Sequence, residues 1–153
     1  MYKKILITTD GSTLSNTTAW AGIALAQQLQ AEVVALFVAP NYHYPMEFDV
    51  MPVVSPTKEE FRLAMEAQGM AHFTALQNAA NEAGLRFSSI VAFADATAQQ
   101  IVLTAKELDC DLIYIGSHGR GGWGQLLMGS VTNKVLSTCH VPVLVDRLQR
   151  TPS

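Results

Sequence analysis

The stretch that decides the fold lies at residues 113–132 and reads IYIGSHGRGGWGQLLMGSVT. An apolar run ending at Ile115 breaks into glycines, and a helical segment begins again at Ser130. Glycines let backbone N–H groups approach an anion closely, and a helix that starts directly afterwards adds unpaired N–H groups and a positive dipole end. Ser130 and Thr132 add hydroxyl donors. The stretch therefore predicts a phosphate-binding loop between a buried strand and a helix.

Outward from this loop, the chain alternates short β-branched runs with segments of helical period. Strands are predicted at 5–9, 33–38, 85–93, 111–115 and 141–145. Ser12 is predicted to cap the first helix, and Thr57 and Thr97 are predicted to open capping boxes with Glu60 and Gln100. Residues 39–56 have no period, which predicts either a functional, mobile lid or a partly disordered connection.

Strict alternation of strands and helices predicts an α/β fold: a single domain with an open five-stranded parallel sheet covered by helices on both faces. We predict the strand order 3-2-1-4-5, in which the order reverses between the first and fourth strands. Ligands of such sheets bind outside the carboxyl ends of the strands at this reversal. Asp10 and Gly116, which follow these two strands, are therefore expected to meet in one crevice.

The spacing Gly116-x2-Gly119-x9-Gly129-Ser130 resembles the nucleotide-binding signature of the universal stress protein family, in its ATP-binding branch. Residues 3–12 (KKILITTDGS) are similar to the family's first strand and acidic turn, 36–38 (LFV) to the end of its second strand, and 139–145 (CHVPVLV) to its last strand. The resemblance weakens only at 39–57. It implies a Rossmann-like, adenine nucleotide alpha hydrolase-like domain over residues 1–147, followed by a tail at 148–153.

The resemblance implies ATP or another adenine nucleotide as ligand, with magnesium held through the phosphates rather than by the protein directly. Asp10 would accept from a ribose hydroxyl or hold the water shell of Mg²⁺. Where the family often has Val or Pro, Thr8 and Thr9 add polarity near the base, and Asp95-Ala96-Thr97 replaces the usual Gly-x-Pro. The expected nucleotide-binding residues are Thr8, Thr9, Asp10, Val38 and Ile115 at the base and ribose, and Gly116, Gly119, Arg120, Gly129, Ser130, Val131 and Thr132 at the phosphates.

No catalytic residue is assigned. His118 lies in the glycine-rich loop, but no neighbouring residue would orient it, and the chain has no lysine placed as in a Walker loop. We expect a regulatory or sensor module of the stress response with at most weak ATP hydrolysis. The alternatives are a dimeric interaction protein that binds no nucleotide and a slow ATP hydrolase of the same fold. An adenylate-forming or sulfur-transfer enzyme would need a Ser-Gly-Gly-x-Asp-type loop after the first strand or a His-x-Gly-His motif, and the sequence has neither. A phospho-acceptor receiver would need an acidic pair after the first strand, where Asp10 stands alone.

Composition narrows the class of partner. The chain has 153 residues and a net charge of −3, and its basic residues are scattered, which argues against nucleic acid. No apolar run approaches the roughly 20 residues that span a bilayer, and the N-terminus runs directly into a strand, so we expect a cytoplasmic protein with no membrane insertion. Cys110 and Cys139 lack metal-binding spacing and are expected to be buried, reduced thiols, and His72 is expected to be structural.

The fifth strand predicts assembly. Pro142 near its start is tolerated at a sheet edge but not in a sheet centre. The strand is apolar and has no charged residue before Asp146 that would oppose pairing with another strand. We therefore expect a homodimer through the final strands, as the resemblance also implies, with contacts at Val141, Val143 and Val145. The protein partner is unknown.

Overall fold

The computed structural model describes residues 1–44, 55–117 and 128–147. Five strands and four helices alternate through these residues, as predicted. In order they are β1 (Lys4–Thr8), α1 (Thr13–Leu29), β2 (Glu32–Ala39), α2 (Lys58–Glu82), β3 (Phe87–Phe93), α3 (Thr97–Glu107), β4 (Leu112–Gly116), α4 (Ser130–Thr138) and β5 (Val143–Asp146).

The strands form one parallel sheet in the order β3-β2-β1-β4-β5, which confirms the predicted topology. In the centre, Ile5 of β1 pairs with Val33 of β2 on one side and with Leu112 of β4 on the other. The order reverses between β1 and β4, so the carboxyl ends of these two strands flank the crevice that open α/β sheets use for ligands.

Two hydrophobic clusters cover the two faces of the sheet. Ile5 and Ile7 of β1 join the cluster that contains Phe73 of α2, whereas Leu6 joins the cluster that contains Val135 of α4. Successive side chains of a strand point to opposite faces, so a central strand covered by helices on both sides is apolar throughout. This is why the first strand is visible in the sequence as a continuous apolar run.

Two of the three predicted helix caps are confirmed. The Ser12 hydroxyl accepts a hydrogen bond from the Ser15 N–H (3.2 Å) at the start of α1. At α2, the Thr57 hydroxyl accepts from the Glu60 N–H (3.1 Å) and the Glu60 carboxylate accepts from the Thr57 N–H (2.7 Å), so the capping box is complete. Bonds of this kind join residues three apart and therefore leave a local mark in the sequence.

The capping box predicted at Thr97 is wrong. Ala96 is the N-cap of α3, no side chain caps this end, and Thr97 is already the first helical residue. The Gln100 side chain donates instead to the Thr104 hydroxyl (3.1 Å). Because the helix starts one residue earlier than the capping pattern requires, the Thr97 hydroxyl is not used at the helix end.

Some predicted boundaries also shift. β3 begins at Phe87 rather than 85, because the Leu85 N–H donates to the Ala80 carbonyl (2.9 Å) as α2 closes. β5 begins at Val143 rather than 141, since Pro142 has no N–H and contributes only its carbonyl, which accepts from Ile113 (2.9 Å). Residues 45–54 of the predicted loop and the predicted tail at 148–153 lie outside the described residues.

Within the described ranges, no helix combines the length and the apolar character needed to cross a bilayer.

Candidate functional site

A cleft of about 120 Å³ opens at the carboxyl edge of the sheet, where the strand order reverses. The ends of β1, β2 and β4 form its floor, and the first turns of α3 and α4 form its sides. Twelve residues line it: Thr8, Thr9, Asp10, Ser15, Leu36, Val38, Thr97, Ile101, Ile115, Gly116, Val131 and Thr132.

Most of the residues selected from the sequence lie at this cleft. Those that line it are Thr8, Thr9, Asp10, Val38, Ile115, Gly116, Val131 and Thr132. Gly129 and Ser130 lie at the start of α4 but are not among the lining residues. Gly119, Arg120 and His118 lie outside the described residues. Asp10 and Gly116, predicted to meet here, do so.

A hydroxyl network holds the acidic turn after β1. The Thr9 hydroxyl, on a residue only 4% exposed, accepts from the Gly11 N–H (3.1 Å) and from the Ser15 hydroxyl (3.2 Å). It donates in turn to the Asn16 side-chain oxygen (3.3 Å). The Ser15 oxygen accepts from the Asp10 N–H (3.0 Å). The hydroxyls of Thr9 and Ser15 are therefore engaged within the protein and position Asp10.

The other side of the turn after β1 packs against α2. Gly11 has φ +78°, and a Cβ atom at this position would lie 2.0 Å from Cε1 of His72. The His72 ring meets Phe37 edge-on, with ring centroids 5.1 Å apart and planes at 83°. His72 is thus in close contact with the backbone of the turn that carries Asp10.

The start of α4 faces the cleft as an uncapped helix end. Gly129 is its N-cap, no side chain caps it, and its first turn holds no acidic residue. The Gly129 N–H donates to the Ser117 carbonyl (2.7 Å), and the Thr132 hydroxyl donates to the Gly116 carbonyl (2.8 Å). The N–H groups of the first helical residues have no intrahelical acceptor and carry the positive end of the helix dipole. This end of the cleft is therefore suited to an anion.

The backbone conformation at residue 129 does not require a glycine. Its φ of −57° and ψ of 151° are open to any residue. What glycine retains at this position is the absence of a side chain beside the helix start.

The opposite part of the cleft is largely apolar, with Leu36, Val38 and Ile101 on its walls. The ladder between β1 and β2 ends where the Thr9 N–H donates to the Leu36 carbonyl (2.9 Å), whereas β2 continues to Ala39. Backbone groups of alternate residues in a strand face the same neighbour. The N–H and carbonyl of Val38 therefore face the side on which β1 has ended, and they can pair with a ligand.

Four lining residues were missed in the sequence: Ser15, Leu36, Thr97 and Ile101. Ser15 and Ile101 fit helical periods, and Leu36 fits a buried strand, so each has a sufficient structural role. Thr97 was assigned to a cap. A signal was available for Thr97 because, in a parallel sheet, each helix that follows a strand starts at the carboxyl edge of the sheet.

In the described part of the chain, the cysteines and the possible metal ligands do not form a metal site. There, no group of three or more His, Cys, Asp or Glu side chains is placed to hold a metal ion. Both cysteines are free; Cys110 is buried as predicted, whereas Cys139 is only half-buried, so the prediction of burial is wrong for Cys139. Burial raises the pKa of the Cys110 thiol from 9.0 to about 11, which keeps it protonated.

β5 lies at the edge of the sheet, as predicted. The side chains of Val141, Val143 and Val145 pack on the cluster shared with α3 and α4, and Leu144 is 37% exposed. Pairing of this edge with a second chain stays a prediction.

Sequence comparison identifies relatives along the whole described fold. A sequence model of the universal stress protein family matches residues 1–147. Universal stress protein MJ0531 of Methanocaldococcus jannaschii is 33% identical over 149 residues, covering 95% of this chain and 82% of that protein. Universal stress protein YxiE of Bacillus subtilis is 32% identical over 151 residues, covering 96% and 100%.

The fold agrees with solved structures. That of the hypothetical protein MJ0577, from M. jannaschii, has a TM-score of 0.79 at 24% identity and covers 99% of both chains. Three more are universal stress proteins bound to nucleotides. One holds cAMP and has a TM-score of 0.66 at 19% identity, covering 95% of this chain and 97% of that chain. One from Archaeoglobus fulgidus holds dAMP and has a TM-score of 0.62 at 16% identity, covering 94% of this chain and 97% of that chain. One from Arabidopsis thaliana holds AMP and has a TM-score of 0.65 at 14% identity, covering 96% of this chain and 92% of that chain.

At these identities the structures show a shared fold. The family match and the two relatives above 30% identity extend over nearly the whole sequence. On these grounds, the chain belongs to the universal stress protein family.

Proposed function

We propose that this protein binds an adenine nucleotide, with ATP and magnesium as the expected form, and that it acts as a regulatory or sensor module in the stress response. The observation that carries the proposal is the composition of the cleft. An uncapped helix start lies at one end and an apolar wall with unpaired strand backbone lies at the other. A nucleotide has the same division into an anionic end and a flat, largely apolar end.

The start of α3 also lacks a side-chain cap, but the phosphates are assigned to the start of α4, because this helix follows the glycine signature. Gly116, Val131 and Thr132 line the cleft there, and Gly129 and Ser130 begin the helix. Backbone N–H groups at a helix start bind phosphate without needing a charged side chain. Gly119 and Arg120 are assigned to the same end by the sequence signature alone.

The base and ribose are assigned to the remaining walls. Val38 would offer its backbone groups to the base edge, and Thr8, Thr9 and Ile115 would line the same space. Asp10 also lines the cleft, and we assign it to accept from a ribose hydroxyl or from magnesium-bound water.

One carboxylate is a suitable contact for nucleotide-bound magnesium, because Mg²⁺ keeps several waters and is held largely by phosphate oxygens. When bound, the metal would neutralise phosphate charge. Asp10, held by the network around Thr9, supplies the protein's contribution. We assign no catalytic residue, and we place the protein in the cytoplasm as a homodimer that reports nucleotide occupancy to a protein partner.

The proposal is supported by what its relatives hold: universal stress proteins of the same fold carry cAMP, dAMP or AMP. The direct test is calorimetric titration of the purified protein with Mg-ATP, AMP and cAMP, preceded by mass spectrometry of denatured protein to detect a co-purifying nucleotide. Absence of binding by every nucleotide would overturn the proposal and favour an interaction protein.

A substitution at the helix start tests the site assignment. Gly129→Val places a branched side chain beside the first N–H groups of α4, and it should remove nucleotide binding without unfolding the protein, because its φ and ψ suit valine. Ser137→Val, at an exposed position in the last turn of the same helix, is the matched control. Unchanged affinity in a folded Gly129→Val protein would show that the phosphates bind elsewhere.

A further inference from the structure

Two threonine hydroxyls of the cleft differ from the others in their hydrogen bonding. Thr9 and Thr132 use their hydroxyls within the protein, in the turn after β1 and at the Gly116 carbonyl. Thr8 and Thr97 also line the cleft and are half-buried, but neither hydroxyl bonds to another residue among those described. Both residues are half-buried rather than buried, so a ligand that enters the cleft can supply a hydrogen-bond partner to each hydroxyl.

The positions of Thr8 and Thr97 in the fold indicate which part of a bound nucleotide they would contact. Thr97 is the first residue of α3, which follows β3, whereas Val131 lies in the first turn of α4, which follows β4. β2 and β1 lie between those two strands in the sheet. Thr8 ends β1 on the floor between the two helices, and its backbone is in register with Leu36 of β2. A nucleotide with its phosphates at α4 would extend across Thr8 toward Thr97 and Val38, which line the same cleft.

Thr97 belongs to the segment Asp95-Ala96-Thr97, which leads from the end of β3 into α3. The segment is anchored from outside the cleft, because the Asp95 carboxylate accepts from the Asn41 N–H (3.1 Å), two residues after β2. Thr97 is therefore held at a defined place beside the end of β2.

We propose that the hydroxyls of Thr8 and Thr97 hydrogen-bond the base of the bound nucleotide and make these two threonines specificity-determining residues. The inference rests on the proposed function and adds the groups that recognise the base. A site built to hydrogen-bond its ligand discriminates against a ligand that lacks the matching group, whereas an apolar wall discriminates weakly.

The test compares Thr8→Val and Thr97→Val with the wild type, using Mg-ATP and ribose 5-triphosphate as the two probes. Valine keeps the shape of threonine and removes only the hydroxyl. Each substitution should weaken ATP binding about twofold to tenfold, the effect of one hydrogen bond, and leave binding of the base-free probe unchanged. Thr8→Ser and Thr97→Ser keep a hydroxyl and should bind ATP nearly as the wild type does.

The control is Thr74→Val on the exposed face of α2, where the hydroxyl donates only to the Met70 carbonyl (2.9 Å). Thermal unfolding of every variant establishes that the fold is retained. If both valine variants bind ATP as the wild type does, or lose affinity equally for both probes, the base contact is wrong. If the wild type binds no nucleotide, the proposed function fails first, so the two failures are distinguishable.

Discussion

Gly11→Ala is the substitution whose cost the structure defines best. Gly11 has φ +78° and lies directly against the His72 ring. A Cβ atom there would be 2.0 Å from Cε1 and 2.2 Å from Nε2, whereas ordinary contacts begin at 3.4 Å. The imidazole would have to retreat by about 1.4 Å, the difference between 3.4 and 2.0 Å. The ring is also in edge-on contact with Phe37, which limits the directions in which it can move.

The magnitude follows from two separate contributions. A left-handed backbone costs a non-glycine residue about 1–2 kcal/mol, partly offset by the lower entropy of alanine in the unfolded chain. Forcing an extra methyl group into a packed site costs about 1–3 kcal/mol more. We therefore expect Gly11→Ala to lower the free energy of unfolding by about 2–4 kcal/mol.

The chain supplies its own control for the backbone contribution. Gly84 has φ +70°, and nothing lies within 4 Å of a Cβ atom built there. Gly84→Ala should cost only about 1 kcal/mol in the same urea denaturation experiment. In a His72→Ala background, where the ring is gone, the cost of Gly11→Ala should fall to that of Gly84→Ala. If Gly11→Ala costs no more than Gly84→Ala in the wild-type background, the contact with His72 does not have the rigidity argued here.

Three further predictions concern charge, assembly and pH. Asp10→Asn keeps the side-chain oxygen that accepts from the Ser12 N–H (2.9 Å), so it should preserve stability. In calorimetric titration it should weaken the binding of Mg-ATP more than the binding of adenine. Equal effects on the two ligands would refute the assigned contact. Leu144→Lys places a charge on the exposed side of β5, whereas Val143 packs on the core, so the Leu144 substitution should shift sedimentation from dimer to monomer with nucleotide binding intact. A wild type that is already monomeric at micromolar concentration would contradict the β5 interface. Burial raises the pKa of Cys110 to about 11 and of Tyr114 to about 12, and the folded state therefore favours their neutral forms. The resulting stability is fully present below pH 9, where the unfolded thiol is still protonated, and is lost as pH rises toward 12; urea midpoints that stay constant from pH 9 to 11 would contradict this.

The alternation of strands and helices, two of the helix caps and the location of the cleft could all be predicted from the sequence. Caps join residues three apart, as Thr57 and Glu60 do, so both partners are visible in one short window. Central parallel strands are buried on two faces, which leaves continuous apolar runs such as that of β1. Glycines followed by a helix start mark the anion-binding end directly, because backbone groups rather than particular side chains bind the anion.

Tertiary structure alone decided which side chains share the cleft and which support it from behind. Thr8 and Thr97 are far apart in the chain and meet because α3 begins beside the ends of β1 and β2. His72 on α2 supports the turn at Gly11 through a contact that helical periodicity does not encode. The exact start of α3, and with it the freedom of the Thr97 hydroxyl, was also decided at this level. Local hydrogen bonds and burial patterns depend on near neighbours and can be read from sequence, whereas contacts between elements depend on sheet order and helix placement, which arise only when the whole chain packs.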